Sequence, residues 1–402
     1  MGDVPQAGRL DILYVGTLPP YPGGSAISCA ELLVGLARHG HTIRALGPIT
    51  PEAAATGDRF AAREPCLAVT RFLVPHFDVA PPIPPPADYR ALESAAIRGG
   101  LERLLTERRP DVVIIGRESF AWDVPAVASD HGIPSVLLIR GGSRTARLLA
   151  GQYPPALAAA LLAEFRKTTV IVATAQHLTD GLRRLGIAHV RTVSNAVDLA
   201  RFAPRPKDAE LVASLGIPDA IVVMHAANLQ PRKRSVDVVR SAEAALAADP
   251  RLFYVIVGEG PLRPEMEREA ARQGIAHRFR YAGWVEYERM PAYVNLADVM
   301  IMPSEAEGLA RVYLETQACG RLLLASDIPP AREVVSPGDT GLLFELGNLA
   351  ALTAQTLVAS RDPALRAAIG RQARESVRAH ATERAVDSYA GILDEVVRRG
   401  RR

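Results

Sequence analysis

Cysteine is nearly missing from this chain: Cys29, Cys66 and Cys319 are odd in number and far apart. That excludes a disulfide framework, fits a reducing cytoplasm, and leaves no pair at metal-ligand spacing. The nine histidines do not cluster either, so no metal is expected. Charge of one sign is also lacking. A net +3 is too small to argue for nucleic acid, and the basic tail Arg398-Arg-Gly-Arg-Arg402 reads as a solvated end. No apolar run reaches the ~20 residues of a membrane span, and no basic-then-apolar leader opens the chain. Peripheral membrane contact stays open.

What is present is a long chain, 402 residues with 48% hydrophobic, enough for two domains with sizeable cores. Strand and helix patterns alternate, which implies parallel sheets. Leu10–Gly16 reads as a first buried strand, followed by a helix from about Ser25 to Arg38 and a strand at Thr42–Leu46. Val112–Ile115, Ser135–Ile139 and Val170–Ala173 are further strands, and Val190–Val193 closes the first sheet. Pro75 to Pro86 reads as a proline-rich surface loop. The polar stretch Phe202–Asp208 reads as a linker. A second alternation follows, with strands at Ile221–Ala226 and Phe253–Val257 and helices at Val236–Ala247 and Leu262–Gln273. The last helix is expected over about Glu383 to Arg399.

The most informative segment is Glu307-Gly-Leu-Ala-Arg-Val-Tyr-Leu-Glu315. It lies between a buried strand, Asp298–Ser304, and another, Leu322–Ser326. Read as helix from Glu307 onward, it sets the two carboxylates ~12 Å apart along the axis and roughly 80° around it. The amides of Gly308, Leu309 and Ala310 would then be the free donors of a first turn, where a phosphate can sit. This geometry suits a sugar at Glu307, a diphosphate at the amides and a ribose at Glu315. The plainer alternative is two solvated glutamates on an amphipathic helix. A helix start at the carboxyl end of a parallel strand is where open α/β sheets bind ligands.

The segment from Asp298 to Glu333 resembles the donor-site signature of retaining glycosyltransferases of family 4, and the likeness extends more weakly over nearly the whole chain. The resemblance implies a GT-B fold: two Rossmann-like, doubly wound α/β domains facing across a cleft. The expected domains are an acceptor-binding one at 1–200, a donor-binding one at 201–380, and a C-terminal helix at 381–402 crossing back to the first. It also implies a nucleotide-sugar co-substrate, expected to be a UDP-sugar, a hydroxyl acceptor, metal-independent transfer with retention, and no further cofactor. Lys233 stands at the family's phosphate-binding lysine. Asn228 stands where an arginine is usual, and an amide can bond a phosphate but not neutralise it; Arg232 or Arg234 is the candidate substitute. Val257-Gly-Glu-Gly-Pro-Leu262 resembles a turn at the wall of the donor site, so Glu259 and Gly260 join the donor set; a plain strand-to-helix turn is the alternative. Trp284 and Val285 stand near the expected nucleobase, with Trp284 as ordinary core in competition. Ala310 replaces a second glycine.

In the first half, Gly23 and Gly24 open the first helix, where the family closes a loop over the diphosphate. Arg140 stands where many members carry a histidine near the donor sugar. Arginine cannot be a base at neutral pH, but it can orient an acid or stabilise leaving charge. Arg117, Glu118, Arg140 and Arg144 at strand ends suggest an acceptor bearing carboxylate or phosphate, unless the arginines pair with local acids such as Glu118. Glu307, Lys233 and Arg140 are thus the expected catalytic residues. Two rivals remain: a UDP-sugar epimerase on the same fold, and a degenerate nucleotide-sugar-binding protein, which Asn228 and Arg140 favour.

Overall fold

The computed structural model describes residues 8–77 and 87–400. Most of the proline-rich stretch, 78–86, lies outside them. The chain forms two compact units, Met1–Asn195 with Thr382–Arg402, and Ala196–Ala381.

The first unit is built on seven strands: β1 Asp11–Val15, β2 Thr42–Ile49, β3 Leu67–Leu73, β4 Val112–Ile115, β5 Ser135–Ile139, β6 Val170–Ala173 and β7 Val190–Thr192. Their order is β3-β2-β1-β4-β5-β6-β7, and every pair is parallel. The central strands β1, β4, β5 and β6 are buried along their whole length, as continuous Val, Ile and Leu runs require when helices cover both faces of a sheet. Edge strand β3 is only partly covered. Strand order reverses between β1 and β4, the switch point at which such sheets bind ligands outside the carboxyl ends.

The last helix, Thr382–Gly400, belongs to this unit. It lies against helix Gly24–Arg38 so closely that a Cβ on Gly35 would meet a Val386 methyl at 2.3 Å. Its Val386, Tyr389, Ile392, Leu393, Val396 and Val397 join Leu32, Leu33 and Leu36 in the unit's core.

The second unit carries β8 Ile221–Ala226, β9 Leu252–Val257, β10 Phe279–Gly283, β11 Val299–Met302, β12 Leu322–Ser326 and β13 Leu342–Phe344. The order is β10-β9-β8-β11-β12-β13, again all parallel. The switch point falls between β8 and β11.

The stretch 202–208 is not the free linker its polarity and prolines suggest. Phe202 is fully buried and its ring lies 5.7 Å from that of Tyr287. The Arg205 amide donates to Asn295 Oδ1 at 2.8 Å, and Lys207 pairs with Asp298 at 2.6 Å. These contacts make the stretch an integral part of the second unit. Among the described residues no helix is long and apolar enough to cross a membrane.

Candidate functional site

In the second unit the loops after β8, β9, β10 and β11 all leave the same edge of the sheet, because the strands are parallel. Backbone hydrogen bonds stitch them together. The Leu229 amide donates to the Glu259 carbonyl at 2.9 Å, Gly258 to Gly283 at 2.7 Å, and Glu305 to Arg232 at 2.9 Å.

At the centre is Glu307. It is 7% exposed, accepts a short hydrogen bond from Lys233 Nζ and one from Arg232 Nη1 at 3.2 Å. Burial alone would raise the Glu307 carboxyl, but the charges of Lys233 and then Arg232 overcome it and hold the pKa below the ordinary value. Burial holds Lys233 below the usual lysine range, and the Glu307 charge only partly restores it. Two cations around one carboxylate leave one positive charge in excess. Arg232 is therefore the arginine that adds charge beside Lys233, whereas Arg234 turns away to Asp237 at 2.7 Å. Asn228 is partly buried, and its side chain makes no hydrogen bond to a described residue.

His225 at the end of β8 locks this arrangement. Its Nδ1–H donates to the Ile301 carbonyl at 2.9 Å, and Nε2 accepts from the Ser235 hydroxyl at 2.9 Å. The carbonyl can only accept, which fixes the tautomer. One ring thus ties the strand before Glu307 to the helix that starts just after Lys233. Burial pushes its pKa down to about 4.

The helix after β11 does not begin at Glu307. It spans Arg311–Ala318 with Ala310 as N-cap, so Glu307 to Ala310 form a buried loop. The eight-residue helical spacing between the glutamates does not hold, and Gly308, Leu309 and Ala310 precede the helix. The sequence carries the reason: Gly308 breaks the pattern, and the first strong helix former with a partner one turn on is Arg311. Its Nε donates to Glu315 Oε1 at 3.2 Å, with both side chains buried. Its guanidinium also lies 5.0 Å over the Tyr287 ring and bonds the Tyr287 hydroxyl. Sequence reasoning missed Arg311, Tyr287 and His225. The four-residue spacing from Arg311 to Glu315 is the signal that finds the first; nothing local points to the other two.

The Gly258 and Gly260 turn serves packing. A Cβ on Gly258, at φ 114°, would lie 2.0 Å from the Ala227 carbonyl oxygen, and one on Gly260 2.6 Å from that of Leu229. The glycines let the turn approach the Asn228 loop. Glu259 is exposed and pairs with Arg263. Trp284 is 48% exposed and so is not core, while Val285 is partly covered.

In the first unit, Gly23 (φ 110°) caps helix Gly24–Arg38, with no side-chain cap and no acid in the first turn. Arg117 lies 5.2 Å over the Tyr21 ring and pairs with Glu93 at 3.5 Å. Glu118 accepts from the Thr145 amide at 3.2 Å, at the start of helix Ser143–Leu149. Burial raises its pKa, offset in part by Thr145 and Arg144. Arg140 donates to Asn195 Oδ1 at 2.9 Å. Among the described residues no group of three or more His, Cys, Asp or Glu side chains could hold a metal ion.

Comparison with known proteins agrees with this architecture. The family described as Glycosyltransferase Family 4 matches residues 22–201, and that described as Glycosyl transferases group 1 matches residues 208–376. The chain belongs to glycosyltransferase family 4 and has the GT-B fold. It is 29% identical to D-inositol 3-phosphate glycosyltransferase of Streptomyces avermitilis over 70% of this chain and 62% of that protein. A similar relative is the GDP-mannose-dependent alpha-(1-6)-phosphatidylinositol dimannoside mannosyltransferase of Mycobacterium tuberculosis, 29% identical over 64% of this chain and 67% of that one. The chain thus spans about 62–67% of the length of these curated relatives. The structure of Anabaena HepE in complex with UDP and glucose superposes with a TM-score of 0.79, at 16% identity, over 96% of this chain and 100% of that one.

Proposed function

We propose that this chain is a retaining glycosyltransferase that moves a hexose, of glucose or N-acetylglucosamine type, from a UDP-sugar to a hydroxyl of a small molecule or glycan. The observation that carries this reading is the Lys233–Glu307–Arg232 cluster, in which the lysine and the glutamate are buried and the arginine is partly exposed. It holds excess positive charge at the carboxyl edge of a doubly wound sheet, at the switch point. Such a cluster, preorganised away from water, stabilises the charge that develops on a departing diphosphate. It fills the role a divalent metal often plays, so transfer is metal-independent in this reading. Asn228 adds a neutral donor, and Trp284 and Val285 offer a face for the base. Glu315, oriented by Arg311, is placed for the ribose hydroxyls.

Glu307 has a double part. It meets the sugar hydroxyls and fixes Lys233 and Arg232. No protein nucleophile is invoked: the acceptor attacks on the face the diphosphate leaves, and the departing phosphate oxygen takes its proton. A cytoplasmic setting belongs to the reading and is supported by cysteines that are few, odd in number and widely spaced.

A second donor is favoured by one finding, the GDP-mannose dependence in the name of the mycobacterial relative. Thermal stabilisation by UDP, GDP and a panel of their sugars decides between them. A ligand at a hundred times its dissociation constant adds about 2.7 kcal/mol. A shift with UDP and one UDP-sugar supports the proposal. A shift with GDP and GDP-mannose alone moves the donor to guanine. No shift with any nucleotide overturns the donor-site reading, in favour of a degenerate protein that binds a partner and not a nucleotide sugar.

A further inference from the structure

Three arginines follow strands of the first sheet, and the structure sorts them. Arg117 is neutralised by Glu93. Arg144 lies in the field of Glu118. Arg140, at the carboxyl end of β5, has no such partner: among the described residues no carboxylate pairs with it. The groups around it are the Asn195 amide at 2.9 Å, the Cys29 thiol, and the phenols of Tyr14 and Tyr389. Burial keeps both phenols protonated at neutral pH, Tyr14 well above its usual value and Tyr389 at about 12. The Nε of Arg140 is shut off from solvent and has no hydrogen-bond partner among the described residues, while the side chain as a whole keeps some exposure.

A guanidinium stays charged at any pH a protein survives, and holding it in a fold without a counter-charge is costly. A second observation points the same way. Helix Gly24–Arg38, which supplies Cys29, begins on the same edge of the sheet, with no side-chain cap and no acid in its first turn. Among the described residues no side chain caps its positive end. Both features wait for an anion from outside.

We propose that Arg140, with Asn195 beside it, binds a carboxylate or phosphate carried by the acceptor, so that the acceptor is an anionic hydroxyl compound. This rests on the glycosyltransferase reading. The donor's own diphosphate is the other source of the same chemistry, but Lys233 and Arg232 already answer it in the second unit.

The test compares the wild-type chain with Arg140→Gln and Arg140→Lys. Melting temperature is followed as inorganic phosphate replaces chloride at constant ionic strength, and the UDP and GDP dissociation constants are measured by calorimetry. Phosphate is expected to stabilise the wild type, with the half-saturating concentration raised about tenfold or more in Arg140→Gln and partly restored in Arg140→Lys. Without phosphate, Arg140→Gln should melt higher, because an uncompensated charge is gone. Nucleotide affinity should change less than about threefold, well under the tenfold expected for a lost charged contact. An equal phosphate response in wild type and Arg140→Gln overturns the proposal, as does no response in the wild type. Loss of nucleotide affinity in Arg140→Gln with the phosphate response intact assigns the anion to the donor and also overturns it. If neither nucleotide binds any of the proteins while the phosphate response still depends on Arg140, the donor reading falls and the anion site stands. Should Arg140→Gln fail to fold, Arg140→Lys alone decides, since a point charge without the planar fork should bind phosphate more weakly than arginine.

Discussion

Glu307 holds Lys233 and Arg232 together against their mutual repulsion, which gives Glu307→Gln two effects of opposite sense. Removing one partner of a buried pair strands the others, at a cost of about 3 kcal/mol, readable by urea denaturation. The same change raises the positive charge facing a diphosphate, so UDP affinity should hold or increase; a weaker UDP complex would show that Glu307 does not act through the cations. His225 gives a pH signature. It takes up no proton in the fold until about pH 4, whereas the unfolded chain does so near 6.5. The unfolded state therefore binds more protons in that window, and stability is full above pH 6.5 and falls as pH drops toward 4, by about 3 kcal/mol. Denaturation of wild type and His225→Asn at pH 7 and 4.5 checks this: the variant should lose that slope. Lys233 and Glu307 were legible in the sequence as a lysine loop and a glutamate motif. That they bond one another was not, because 74 positions separate them and only the sheet order brings their loops together.

At the scale of elements, the strands were the most readable part, since a sheet covered on both faces writes itself as unbroken apolar runs. Strand β3 and the short β13 escaped because an edge strand with mixed exposure has no such run. Helix Arg311–Ala318 starts later than a periodic pattern running back to Glu307 implies, because the chain from Glu307 to Ala310 is a loop. The corrected start makes Arg311 the residue that aims Glu315. Arg311→Leu should lower nucleotide affinity about tenfold, as loss of a charged hydrogen bond does, and Glu315→Gln should do the same. The double variant should be little worse than either, because both remove one interaction. Calorimetric titration with UDP measures all three; simple additivity would separate the two residues' roles. The glycines at Gly258 and Gly260 show the limit of motif reading: both are required, but the atoms they make room for belong to the protein's own Ala227 and Leu229.

For the whole molecule, the order of segments matters as much as their content. The first unit draws six large core residues from Thr382–Gly400. At about 1.5–3 kcal/mol each, their sum is comparable to the roughly 5–15 kcal/mol by which a domain is usually stable. A chain ending at Ala381 should therefore keep a cooperative second unit and lose fixed packing in the first. Hydrogen exchange resolved by segment would read this as protection in β8 to β12 and its loss in β1 to β6. Full protection of both would mean that the last helix only decorates the first unit.

The same arrangement sets a timetable on the ribosome. Residues up to Asn195 emerge with their apolar groove open along Leu32, Leu33 and Leu36, before the strip that fills it, Thr382–Gly400, is made. All of Ala196–Ala381 must be translated in between, a wait of roughly ten to forty seconds at ordinary rates of synthesis. During that interval the nascent amino-terminal half is a client for whatever shields sticky surface near the exit tunnel, and the half encoded second is the first able to finish folding.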